Sequence, residues 1–193
     1  MTILILGLLI FLGVHSIRIV ADDWRAAQRK RLGERAWKGG FTLVSIVGLV
    51  LIVWGYGMAR HDPVFLWNPP AGMRHLAALL TAIAFVLLAA ADVPRNSIRA
   101  LVHHPMLIGV MLWAFAHLLA NGTLADLLLF GSFLVWAIFC LRAARKRDRE
   151  QMTQYPAGTL RGTLIAIVAG GVAWALFVFW LHGWLIGVQP FAI

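Results

Sequence analysis

Six apolar stretches, at about residues 2–21, 39–58, 74–92, 104–121, 124–142 and 162–186, follow one another along the chain with polar segments between them. A helix needs roughly 20 mainly apolar residues to cross about 30 Å of hydrocarbon, and each stretch is close to that length. The pattern predicts an all-α fold, a polytopic transmembrane bundle of about six spanning helices. The stretches use most of the chain, so residues 1–193 are expected to form one membrane domain with no separate soluble one.

The segments between the spans differ in character. Residues 22–38 (DDWRAAQRKRLGERAWK) are charged and poor in Gly and Pro, which predicts a helical hairpin. Residues 59–73 contain HDPVFLWNPPAG, whose prolines and glycine break a helix. Phe65 and Trp67 there suit a membrane–water interface, where aromatic belts sit. Only about Asn121–Thr123 links the fourth and fifth stretches, so these are expected to be antiparallel neighbours. A second basic stretch, 142–161, ends at Pro156 and Gly158. The first stretch reads as a retained helix: Met1 and Thr2 carry no positive side chain, no small-residue cleavage site follows, and Arg18, Asp22 and Asp23 continue straight out of it. Glycines inside the stretches (Gly39, Gly40, Gly48, Gly55, Gly109, Gly131, Gly170 and Gly171) are expected mainly to allow close helix packing.

Composition agrees. Apolar residues make up 61% of the chain and charged ones 13%, with a mean hydropathy of +0.82, too little polar surface for a soluble domain of this size. The net charge of +9 raises the question of nucleic acid, and the placement of the charge answers it. Fourteen of the seventeen Lys and Arg fall in 22–38, 93–103 and 142–161, which are alternate connections between spans. That is the positive-inside pattern; it predicts these segments in the cytoplasm and both termini on the other side. The basic loops read as topology signals and anchors for anionic headgroups, with membrane lipids as partners and no nucleic acid. Cys140 is the single cysteine, which excludes an internal disulfide, a cysteine metal cluster and a C-x-x-C-H haem attachment. Any haem would be held non-covalently.

Histidine in an apolar span is costly, and the chain has seven. His61 and His75 flank the polar loop, and His182 follows the last apolar core among tryptophans, so these three read as interfacial. His15, His103, His104 and His117 remain. His103 and His117 are separated by about 21 Å along a helix, and His104 and His117 point to different sides, so HHPMLIGVMLWAFAH offers one ligand at most to any single centre. A partner has to come from another helix, and His15 in FLGVHSIR, with Arg18 at i+3, is the natural one. Arg18 has an alternative role, snorkelling to the interface and pairing with Asp22. His117 has Asn121 at i+4 to fix its tautomer, Trp113 at i−4 to pack on a flat cofactor, and Gly109 and Ala114 to leave space. No carboxylate cluster accompanies the histidines, which argues against a zinc hydrolase. Two neutral imidazoles with a cation for the propionates suit a b-type haem.

FLGVHS, ERAWKGGF and HHPMLIGVMLWAFAHLLANG together resemble the NnrU family of integral membrane proteins. The resemblance implies a bacterial inner-membrane protein linked to denitrification, in nitrite and nitric oxide metabolism. It also implies kinship with a plant zeta-carotene isomerase that uses non-covalent haem b. On that kinship His15 and His117 match the isomerase's iron ligands, and His104 matches the histidine of its His-Pro pair. Two positions depart: Ala114 stands where the isomerase has a cysteine used on reduction, and His103 stands where an arginine is expected. The first departure weighs against redox-switched isomerase chemistry and leaves haem binding open. With straight helices His15 and His117 would differ in depth by about 12 Å, and His15 would face His104 instead; the resemblance favours His15 with His117.

The leading reading is a haem b membrane protein acting in nitrogen-oxide metabolism, or in redox or isomerase chemistry on an apolar substrate such as a polyene, a quinone or a small gas. Two other classes fit some residues. HHPMLIG with RDREQM resembles the signatures of membrane methyltransferases that use S-adenosylmethionine, though without their arginine, tyrosine and second acidic residue. A non-catalytic respiratory assembly factor needs no site at all.

Overall fold

The computed structural model describes residues 1–191 and is built from helices: α1 (Thr2–Val20), α2 (Asp22–Leu32), α3 (Glu34–Ala59), α4 (Met73–Asp92), α5 (Ser97–Val102), α6 (Pro105–Ala120), α7 (Leu124–Glu150), α8 (Leu160–Leu176), a π turn (Phe177–Leu181) and α9 (His182–Ile186). Among the described residues five segments are long and apolar enough to cross a membrane: α1, α3, α4, α7 and the continuous run Leu160–Ile186. The sixth expected span is α6, apolar throughout but only 16 residues long, or about 24 Å. Its start is set by His103, which takes φ +64 and ends α5, and by Pro105, suited to a first turn because it lacks an N–H. The chain is a multi-pass membrane protein.

Packing runs in the order α3, α1, α7, α6, α4, α8. The three-residue turn makes α6 and α7 antiparallel neighbours, as the spacing predicts. Glycine permits the closest crossings. A Cβ on Gly55 would strike the backbone of Leu4, one on Gly48 would meet Phe11, and one on Gly170 would meet Val86. Gly109 packs on Ala84 and Leu87 in the same manner, whereas Gly39, Gly40 and Gly171 face open space and Gly131 makes an ordinary contact. Packing therefore explains four of the eight glycines singled out from the sequence. The helical hairpin expected at 22–38 is α2 and the first turn of α3, broken at Gly33 (φ +82).

The densest core lies away from the basic loops, where Leu4, Leu8, Ile52, Ala114, Leu129 and Phe130 pack together. The irregular loop 60–72 closes over that end: Leu66 N–H donates to Gly122 O, and Leu124 N–H donates to Val64 O. Beneath it Thr123 and Asp126 form a capping box that starts α7.

Candidate functional site

Helix α3 and the α8–α9 run stand at the two ends of the packing order, and a cleft opens between them with α6 and α7 as its floor. Two adjoining cavities, of about 430 and 190 Å³, occupy it; both are lined by Trp113, His117, Asn121, Phe177, His182 and Val188.

His117 sits on the floor. Its Nδ1 lies 2.8 Å from Trp113 O, and a carbonyl only accepts, so Nδ1 carries the hydrogen and donates it. In the neutral ring the other nitrogen, Nε2, keeps its lone pair; among the described residues it forms no hydrogen bond and is not sealed off, so it opens into the cleft. The imidazole is stacked on Phe130 at 4.5 Å and 25°, with Trp113 at 5.1 Å on another side. Asn121 acts otherwise than the spacing suggests: its Nδ2 donates to His117 O at 2.8 Å and leaves the ring alone. The tautomer is set by the backbone of the previous turn. Ala114 and Gly109 do not make room for a cofactor either, since Ala114 is fully buried in the core and Gly109 faces α4.

His182 was expected to be interfacial, yet it joins His117. Its Nδ1 donates to Val188 O at 2.7 Å, which in the neutral ring leaves the lone pair on Nε2. The polar group that sequence reasoning missed is Asp126, 5% exposed, which accepts from the Tyr56 hydroxyl at 2.6 Å and from Thr123. The capping-box pattern Thr-x-x-Asp was visible in the sequence and places Asp126 at a helix start; its partner, 70 residues away, was not. Arg60 and Arg74 lie at the mouth of the cleft, and Arg60 donates to Ile186 O.

His15 and Arg18 line a separate cavity of about 320 Å³ at the basic end, with Arg25, Arg29, Trp37, Lys38 and Phe41. His15 has the same tautomer, Nδ1 donating to Phe11 O at 2.7 Å. Its imidazole is bounded by Phe11, Phe41 and Trp136, and the Trp136 Nε1 is buried without a hydrogen-bond partner among the described residues. Asp22, a potential partner for Arg18, pairs with Arg25 instead. Between His15 and His117 lies a rung of aromatic rings: Phe11 to Phe133 at 5.8 Å, and Phe133 to Trp113 at 5.7 Å. Each histidine is one turn beyond the rung on opposite sides, a depth difference of about 11 Å. His15 does not face His104. The latter caps α6 and bonds Asp148 Oδ2 at 2.7 Å.

A model of the NnrU protein family matches residues 3–190. The chain belongs to the NnrU family. No curated protein and no solved structure matches it. In this NnrU family member the stretches quoted above are therefore split between three places. Val14 and His15 of FLGVHS line the basic cavity, HHP stands at the start of α6, and Trp113, His117 and Asn121 line the cleft with a histidine from the last helix. Among the described residues no group of three or more His, Cys, Asp or Glu comes together to hold a bare metal ion.

Proposed function

We propose that this NnrU-family chain is a haem b-binding protein of the bacterial inner membrane, serving nitrogen-oxide metabolism or redox or isomerase chemistry on an apolar substrate. The observation that carries the reading is His117: a neutral imidazole locked by the Trp113 carbonyl, with a free Nε2 in an apolar, aromatic-walled cleft. The donor chemistry fits. Trp113, Phe130 and Phe177 offer flat apolar walls, and Arg60 and Arg74 stand where carboxylates at the mouth would meet cations. A bound haem b would supply a redox-active iron; the chain would supply a ligand in His117, exclude water and orient the ring. The cleft opens beside lipid-facing residues such as Val53, which suits an apolar substrate arriving from the bilayer. The basic loops are assigned to the cytoplasm and both termini to the opposite side.

The test is an absorption spectrum of the detergent-purified protein, oxidised and then reduced with dithionite. A Soret band that weakens in His117→Ala is expected, with no binding of S-adenosylmethionine by calorimetry. A preparation that stays colourless after haem is added overturns the reading.

A further inference from the structure

We infer that His182, rather than His15, is the second protein ligand of this centre, so that the metal is held by the Nε2 atoms of His117 and His182. The inference rests on the haem reading above and adds to it the identity of the partner.

The two imidazoles share a cleft, and both line each of its cavities. Each has its Nδ1–H committed to a main-chain carbonyl, Trp113 O for one and Val188 O for the other. Metal-bound histidines are oriented in the same way, the second nitrogen donating to a carbonyl or carboxylate while the first binds. His182 owes its place to two backbone features. The π turn Phe177–Leu181 inserts extra residues into the helical winding, which rotates everything after it relative to an unbroken α-helix. Gly187 then takes φ +75 and turns the chain back, so that the Val188 carbonyl reaches the imidazole. Such π turns occur frequently at functional sites.

The number of ligands points to a macrocycle. First-row ions take four to six ligands, and the cleft gives two imidazoles. Asp126, its carboxylate, is already bonded to Tyr56 and Thr123. A tetradentate ring would supply the remaining donors itself and need only one or two from the protein, the number of imidazoles the cleft offers. His15 does not qualify in this packing. Two nitrogens on one ion lie roughly 4 Å apart, twice a metal–nitrogen bond, while the Phe11–Phe133–Trp113 rung separates His15 from His117.

The experiment is electron paramagnetic resonance and absorption spectroscopy of the full chain in detergent, loaded with haem. The wild type should show a low-spin, six-coordinate bis-imidazole signature. His182→Ala should bind haem at least several-fold more weakly and turn high-spin, and added imidazole should restore the low-spin form. His182→Met, which keeps a ligand-capable side chain, should give a low-spin histidine–methionine signature and guards against misfolding of the alanine variant. His15→Ala should leave the spectrum unchanged. A low-spin wild-type signature that survives His182→Ala, or conversion in His15→Ala, overturns the assignment while the haem reading stands. A wild type that takes up haem but stays high-spin overturns it too. Failure of the wild type to bind haem at all overturns the haem reading and this assignment with it.

Discussion

The imidazole of His104, at the start of α6, lies 2.7 Å from the carboxylate of Asp148, on the part of α7 that extends past the 124–142 span. The same oxygen accepts from the Tyr155 hydroxyl at 2.8 Å, and the Tyr155 ring is stacked on His103 at 4.2 Å. This quartet ties the α5–α6 break to the end of α7 and to the loop after it.

Tyr155→Phe is expected to lower stability by about 1 kcal/mol, the worth of one hydrogen bond at a partly exposed site. Burial, with donation to Asp148, pushes the Tyr155 hydroxyl up to about 12. Its folded value lies above the ordinary one of about 10, so its contribution is whole below about pH 10 and is lost as the pH rises toward 12. At the acid end burial works against the Asp148 charge, but the bonds from Tyr155 and His104 outweigh it and hold the carboxyl below its usual range. That contribution persists above the ordinary carboxylate range and fades only as the pH falls through the depressed value. The gap in melting midpoint between wild type and Tyr155→Phe should stay level from about pH 5 to 9 and shrink above about 10. A gap that closes near neutrality would contradict this.

Asp126→Ala removes the acceptor of the Tyr56 hydroxyl and half of the capping box at once. A loss of about 2 kcal/mol is expected, from a cap worth about 1 and a half-buried hydroxyl left without its acceptor. Tyr56→Phe should cost less, because Asp126 keeps Thr123. Denaturant titration in mild detergent, followed by tryptophan fluorescence, measures both.

Adjacent glycines on α8 give a paired comparison. At Gly170 a Cβ would lie 2.5 Å from Val86 Cα, while at Gly171 it meets nothing. Gly170→Val should force α4 and α8 apart and cost about 1–3 kcal/mol or more, whereas Gly171→Ala should be neutral within about 0.5 kcal/mol or slightly stabilising. Equal effects from the two would count against the packing described.

Orientation is checked by cysteine labelling in a Cys140→Ala background. Met152 is 84% exposed at the basic end and Phe65 is 68% exposed in the opposite loop. Met152→Cys should be shielded from an impermeant maleimide in intact spheroplasts and react after lysis, while Phe65→Cys should react in both. The reverse pattern would invert the assigned topology.

The helices were legible because their signal is local. Runs of apolar residues, basic connections and the short Asn121–Thr123 turn specify spans and neighbours without reference to the rest of the chain. Pro105 announced the start of α6 in the same local way. The reach of α7 eight residues past residue 142 was hidden, since a charged helix beyond a span leaves no apolar trace.

The sequence by itself determined the class of molecule, its family and the histidines worth following. Which histidines meet was decided only in three dimensions. His15 and His117 carry the resemblance, but crossing depth, set by where Gly7, Gly48 and Gly55 let α1 lie against α3, places His15 beyond an aromatic rung. His182 looked like an interfacial residue until a π turn and a left-handed Gly187 brought it into the cleft of His117. Spacing along one helix says which residues share its face. It cannot say which residue of another helix lies at the same depth, because that depends on crossings and windings made by contacts distant in the chain.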